Sequence, residues 1–423
     1  MKTISSPPMG WNSWDCYGAG INEEQFLKNA GYMAEHLLKS GYEYAVIDIE
    51  WSEPTADSTA YHHFKPLYMD GYSRLIPAPE RFPSSAGGRG FAPIAEKVHA
   101  MGLKFGIHMM RGIPRQAVYS GAKTITGIPA ADIADWNAVC PWNSEMYGVK
   151  NNEQGQAYYD SLLSLYASWG VDFIKCDDIC VTEGNVHDPY SGRYELEMLR
   201  SATDRCGRQI VLSVSPGPAR LRDAAHLSLC ADMWRLTGDF WDDWGKLRAM
   251  FDVTEKWFPW TSRGWPDCDM LPVGMLCVNN PAEIHRSRFT PDELKTMLAL
   301  WCVFRSPLIL GGDLPSLNGS ELAVITDPLL LDLDRSGTER FPLTPGEAVR
   351  AWLAHTTGGK TCLFLFNLSD IGQSVNIEIS SNLKKYFGDN RYKEYIIGEG
   401  RTDESPSETL KIAPHATKVL IKY

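Results

Sequence analysis

The sequence predicts a (β/α)₈ barrel over residues 1–332 followed by a small C-terminal antiparallel β-sandwich domain over residues 333–423. Three observations carry that prediction. Short apolar runs alternate with helical stretches through the first three quarters of the 423 residues, the pattern of βα units feeding a parallel sheet. Eight strand candidates fall within about 330 residues, the complement such a barrel needs. From about Leu333 the pattern changes to closely spaced strands with tight turns.

The first strand runs from Met9 to Trp14, and a helix from about Glu23 to Lys39 ends in Ser40-Gly41. Tyr44 to Trp51 is the second strand. Helix Ile94 to Ala100 closes at Gly102 and leads to strand Leu103 to His108. Helix Ala157 to Ser168 closes at Gly170 and leads to Val171 to Asp177. Glycine after each helix fits a left-handed C-terminal cap. The remaining barrel strands are Gln209 to Val214, Asp232 to Arg235, a segment around Asp267 to Leu271, and Pro307 to Leu310. In the C-terminal region, Ala351 to Asn367 reads as two strands around the Gly358-Gly359 turn, with further strands at Val375 to Ile379 and Thr417 to Ile421.

Composition narrows the function. With 41 Lys and Arg against 52 Asp and Glu, the net charge is −11, and no basic run offers a phosphate backbone a foothold, so nucleic acid is not an expected partner. No apolar run approaches a membrane span, and the first eight residues lack a signal region, so the chain reads as cytoplasmic. Ten cysteines without CxxC pairs, Cys176 and Cys180 being closest, read as reduced thiols rather than as a disulfide framework or a zinc site. Asn318-Gly-Ser and Asn367-Leu-Ser read as chance matches to the glycosylation triplet. Fourteen Trp and 18 Tyr suit a sugar site and a Trp-rich core equally.

In a barrel the active site forms at the C-terminal ends of the strands, and several of these strands end in acid: Asp48, Asp177 and Asp178, Asp239, Asp267 and Asp269. Neighbouring strand residues face opposite ways, so Asp177 and Asp178 cannot act on one substrate together. Lys175 shares the face of Asp177 and would keep it ionised, as a nucleophile must be; pairing for stability alone, or capping of the next helix, is the structural alternative. The partner must come from another strand. Asp239 lies among Trp234, Phe240 and Trp241, and apolar surroundings would raise its carboxyl toward the value of a general acid. A metal-dependent hydrolase would want a His-x-His at a strand end, whereas His62-His63 lies in a loop and His108 stands alone, so no metal is expected.

Five ordered motifs resemble the successive strand motifs of the α-galactosidases of glycoside hydrolase family 27: Pro8-Met-Gly-Trp-Asn-Ser-Trp14, Gly102-Leu-Lys-Phe-Gly-Ile107, Trp169-Gly-Val-Asp-Phe-Ile-Lys-Cys-Asp177, Gly264-Trp-Pro-Asp-Cys-Asp-Met-Leu271 and Ser306-Pro-Leu-Ile-Leu-Gly-Gly-Asp313. The resemblance implies a retaining exo-glycosidase with Asp177 as nucleophile and Asp239 as acid/base, needing no cofactor. It also implies that Trp14, Asp48, Trp51, Lys175, Arg235 and Asp269 line the sugar site. The chain departs from the family pattern at Ile49, where a second acid usually binds the C6 hydroxyl of galactose. The form Asp48-Ile49-Glu50-Trp51 is similar to that of the family's β-L-arabinopyranosidases, whose sugar lacks C6. The alternative is that Ile49 is a plain strand residue and that Glu50 or a loop acid holds that hydroxyl. Two further departures are His108, where the family commonly has Tyr and which could brace Asp177, and Ser213-Val-Ser215-Pro-Gly-Pro218, which replaces the loop facing C2. The expected partner is a carbohydrate ending in a galactosyl or arabinopyranosyl unit, and a homo-oligomer is compatible with the sequence.

Overall fold

The computed structural model describes residues 4–140, 142–179, 192–337, 339–343, 346–376, 392–404 and 409–422. Eight strands, β1 (Met9–Asn12), β2 (Tyr44–Ile47), β3 (Lys104–Met110), β4 (Phe173–Ile179), β5 (Val211–Pro216), β6 (Met233–Arg235), β7 (Trp265–Asp267) and β8 (Leu308–Leu310), pair in parallel in the order β7-β6-β5-β4-β3-β2-β1-β8. The sheet closes just past β7, where Leu271 bridges Leu310 and its amide donates to the Ile309 carbonyl at 2.8 Å. A helix follows each of the first seven strands: α1 (Glu23–His36), α2 (Ala92–Ala100), α3 (Glu153–Ser168), α4 (Arg193–Arg205), α5 (Ala224–Cys230), α6 (Trp244–Trp257) and α7 (Pro291–Phe304). After β8 come α8 (Gly319–Ile325) and α9 (Pro328–Ser336), so residue 333 lies inside a helix whose buried leucines face the barrel.

Local chemistry explains where the helices begin and end. Asn22, Asn152 and Asp243 each accept a first-turn amide, and Thr290 with Glu293 forms a reciprocal capping box on α7. Gly102 and Gly170 follow their helices at φ +83° and +85°, a conformation that costs other residues about 1 kcal/mol.

Period-two alternation within the strands determines what reaches the barrel mouth. Tyr44, Val46, Phe173, Val211, Met233 and Trp265 form one buried cluster inside the barrel. Their strand neighbours Ala45, Ile47, Ile174, Leu212 and Trp234 belong instead to the larger core beneath the helices. Continuing each inward series by two residues toward the C-terminal end reaches Asp48, Lys175 and then Asp177, Ser213 and then Ser215, Arg235 and Asp267. The inward register that fills the barrel also brings these polar side chains to its C-terminal end.

The C-terminal region holds β9 (Arg340–Leu343), β10 (Val349–His355), β11 (Thr361–Asn367), β12 (Gln373–Asn376), β13 (Lys393–Ile396), β14 (Arg401–Glu404), β15 (Thr409–Ile412) and β16 (Thr417–Lys422). Six form an antiparallel sheet ordered β9-β10-β11-β16-β13-β14, and β12 pairs with β15. The Gly358-Gly359 turn lies where the sequence predicts it; of the strand predicted from Val375, residues 377–379 lie outside the described residues. One face of the sheet buries Ala351, Leu353, Leu363 and Leu420, while the other buries Trp352, Phe364, Phe366 and Ile421 against the barrel. Helix α7 lies between the barrel and this sheet, which is why its run from Met297 to Phe304 is buried without a break.

Eight of the 14 tryptophans are core residues, and Trp11, Trp234, Trp265, Trp301 and Trp352 are among the largest fully buried side chains. The nine cysteines among the described residues are free thiols; Cys180 lies outside that set. Asn318 caps α8 and Asn367 is buried with its amide on three carbonyls, which accounts for both triplets structurally. Among the described residues no helix is long and apolar enough to cross a membrane.

Candidate active site

Asp177 projects from β4 into a set of hydrogen-bond donors. His108 Nε2 lies 3.0 Å from its Oδ2, the Ser215 hydroxyl donates to Oδ1, and Lys175 Nζ is 3.8 Å away. Burial alone would raise this carboxyl, but the Lys175 ammonium and the His108 and Ser215 bonds outweigh it and hold it well below the usual carboxylate range. Lys175 lies closer to Asp48, donating at 2.9 Å to an Oδ2 that also accepts from Asn12 at 2.8 Å. Asp48 is likewise held ionised: burial opposes the charge, and Lys175 and His108 prevail. The lysine therefore divides its charge between two carboxylates, and the histidine and serine make the close contacts to Asp177.

Asp178 faces away, as strand alternation requires. Arg111 Nη2 pairs with its Oδ2 at 2.9 Å, and Arg111 Nη1 pairs with Glu195 at 2.7 Å, both within the buried interior. The β4–β5 register slips between Cys176 and Ile179, and Asp178 adopts φ +58°. Such a bulge re-aims the side chains on either side of it, and the buried Arg111–Glu195 pair stabilises the strained backbone beside Asp177.

A second group forms at the ends of β6 and β7. Arg235 Nη2 contacts Asp269 Oδ2 at 2.7 Å and Asp239 Oδ1 at 3.1 Å, and Asp269 also accepts the Phe240 amide at 2.8 Å. Burial raises the Asp269 carboxyl despite Arg235, and burial together with Asp269 pushes Asp267 up to about 7. Among the described residues the apolar enclosure predicted around Asp239 is absent. Its side chain is 50% exposed, Trp234 packs on Trp257 in the core, and Phe240 packs on Phe289 and Trp301.

Trp51 is a second correction. It is buried among Phe91, Tyr166 and Trp169, with its indole N–H on the His108 carbonyl at 2.7 Å, because the chain turns at Glu50 (φ +65°) and swings it into the core. Trp14 does face a cavity of about 240 Å³ at the barrel mouth, lined also by Asp15, Tyr61, Trp241, Cys277 and Asn280. Tyr61 stacks nearly parallel to Trp14, centroids 6.1 Å apart, and packs on Trp142. Neither Tyr61 nor Trp142 was identifiable from sequence, since both lie in loops without a recognisable pattern. Ile49 is buried in one apolar cluster with Ala19, Met110, Cys140 and Met146, against which Trp14, Tyr61 and Trp142 pack. Among the described residues no group of three His, Cys, Asp or Glu side chains is arranged to hold a metal ion.

Glu50, beside Ile49, is itself buried. Burial, with Glu145 and Glu53 nearby, pushes its carboxyl up to about 8 against the pull of Arg81. An acid raised in the native state stabilises the fold fully below its unfolded value of about 4.3, and that contribution is lost as pH rises through the folded value. Glu50→Gln removes the titration. Relative to the parent, this variant is expected to gain on the order of 2–3 kcal/mol in unfolding free energy between pH 5 and pH 8, and a parallel pH dependence in denaturant melts would refute it.

Known proteins resemble this chain along most of its length. The family model Melibiase_2, described as Alpha galactosidase A, matches residues 6–162 and 147–335. The crystal structure of Abp, a GH27 β-L-arabinopyranosidase from Geobacillus stearothermophilus, superposes with a TM-score of 0.92 at 43% identity, covering 99% of this chain and 96% of that one. A variant of that enzyme is described in complex with arabinose. Human alpha-galactosidase A is 26% identical over 408 residues, 89% of this chain and 78% of its own length.

Proposed function

Because this chain belongs to the Alpha galactosidase A family and is a glycoside hydrolase, we propose that it removes terminal sugars with retention of configuration, preferring β-L-arabinopyranosides to the stereochemically equivalent α-D-galactosides. In this reading Asp177, ionised by its donors, attacks the anomeric carbon while Asp239 protonates the departing oxygen. Asp239 then deprotonates the water that releases the sugar from Asp177, and the expected carboxyl separation is about 5 to 5.5 Å. Trp14 offers a stacking face, and Asp48, Arg235 and Asp269 offer charge-assisted bonds to ring hydroxyls. The half-exposed position of Asp239 suits a group that must exchange its proton with an aglycone and then with water.

The sugar preference rests on the apolar cluster around Ile49. A hydroxymethyl group directed at that wall would leave its hydroxyl without a partner, a loss of about 1–3 kcal/mol that a pentopyranose does not incur. Glu50 does not offer the missing acceptor, since its carboxyl is directed toward Asn143 and lies beside Glu53 and Glu145. The name of the Geobacillus stearothermophilus relative supports the same reading. The test compares kcat/KM for 4-nitrophenyl β-L-arabinopyranoside and the α-D-galactopyranoside. The pentoside is expected to lead by about 5- to 150-fold, the range that 1–3 kcal/mol spans, and Ile49→Asp to narrow the ratio. A wild type that prefers the galactoside would overturn the reading.

A further inference from the structure

We propose that the C-terminal β region takes part in catalysis through His415, a positioning residue for the loop that carries Asp239; the proposal rests on the acid/base reading of Asp239. His415 lies between β15 and β16 at φ +59°, a left-handed conformation that a non-glycine residue holds only when its surroundings impose it. Three contacts impose it here. Its imidazole stacks on Trp244 with ring centroids 3.8 Å apart and an interplanar angle of 17°. Its Nδ1 faces Glu293 of α7 at 2.7 Å, and its Nε2 faces Asp370 at 2.9 Å. Its carbonyl also accepts the Thr296 hydroxyl at 2.7 Å.

Trp244 is the first residue of α6, and the first turn of α6 fixes the loop that precedes it. Lys246 Nζ donates to the Asp239 carbonyl at 2.7 Å, and Asp243 caps the helix through the Lys246 amide. Asp242 is held on the same side by His285 at 3.0 Å and by the Arg288 amide at 2.8 Å. At the exposed tip, the Asp239 carboxylate has, among the described residues, one cationic contact, Arg235 at 3.1 Å. The orientation of Asp239 therefore depends on how firmly the first turn of α6 is held, and the ring that covers Trp244 comes from the β region. Removing that ring leaves Trp244 unstacked and lets the turn, with the Lys246 bond, drift relative to Arg235. A displacement of about 1 Å at a reacting group can cost on the order of 100-fold in rate.

General-acid assistance matters most when the leaving oxygen is basic, so the test is the dependence on leaving group. For the sugar series that the enzyme hydrolyses faster, kcat/KM is measured on phenyl, 4-nitrophenyl and 2,4-dinitrophenyl glycosides for His415→Asn, whose side chain tolerates the left-handed backbone, and for Trp244→Leu. Both variants are expected to lose about 10- to 100-fold on the phenyl glycoside and less than about twofold on the dinitrophenyl glycoside. The retained rate on the latter shows that the site is folded. An equal loss on all three, or no loss, overturns the positioning role. Asp239→Ala run alongside separates the two readings: if it shows the leaving-group dependence and the His415 variant does not, the brace fails alone. If Asp239→Ala shows none, the acid/base assignment fails and the proposal with it.

Discussion

Asparagine at position 177 is expected to lower kcat by about 10⁴-fold or more, equivalent to ~5.5 kcal/mol of barrier at ~1.36 kcal/mol per decade. The substitution keeps the shape of the side chain but removes the nucleophilic oxygen and the charge that faces Lys175 and His108. The parent's pH profile provides a second reading. Because burial is outweighed by Lys175, His108 and Ser215, Asp177 stays ionised well below neutrality. An acidic fall in kcat/KM that follows an ordinary carboxylic acid would therefore have to arise elsewhere. Steady-state kinetics of purified Asp177→Asn on the dinitrophenyl glycoside check the prediction, and turnover within tenfold of wild type would remove Asp177 from the mechanism.

The second large effect is expected at Asp239. Alanine there should lower kcat/KM by about 10²- to 10⁴-fold on glycosides with basic leaving groups while sparing strongly activated ones. With an activated glycoside the first step proceeds without the acid, but water is no longer deprotonated for the second, so the glycosyl-enzyme accumulates after an initial burst. Azide, already an anion, needs no general base. It should restore turnover by attacking the anomeric carbon and displacing Asp177, giving a glycosyl azide with the substrate's own anomeric configuration. An azide product of inverted configuration, or no rescue at all, would argue against a two-step route through Asp177. Exposure of the Asp239 side chain permits the small anion to approach.

Much of the barrel could be read from the chain because a single constraint acts on each strand. Alternation that buries Phe173 must also point Lys175 and Asp177 inward, so the location of the site followed from the pattern that located the core. Strand ends were harder. The segments expected to continue to Trp51 and Leu271 stop at Ile47 and Asp267, and acidic residues in left-handed conformations follow, Glu50 at φ +65° and Asp269 at +83°. Hydrophobic pattern carries no information about that backbone choice, which depends on tertiary partners: Arg235 and the Phe240 amide at Asp269, and Arg81, which donates to the Glu50 carbonyl at 2.6 Å. Trp51 therefore turns into the core instead of continuing the strand. Tyr61 was missed because its position depends on a long loop folding back onto Trp14. The surplus of tryptophan proved to be largely a property of the core, and only a few of these rings reach the cavity.

Helix α7 lacks a solvent face along most of its length because the barrel covers one side and the β sheet the other. Whatever the β region contributes to chemistry, it is not an appendage that gene fusion or truncation can exchange freely. Cutting the chain after β8 would uncover Phe304, which packs edge-on against Trp352 of the sheet, turning one side of a buried helix into an aggregation-prone face. Evolution is held by the same coupling: drift in the sheet must remain compatible with the catalytic barrel through one shared helix.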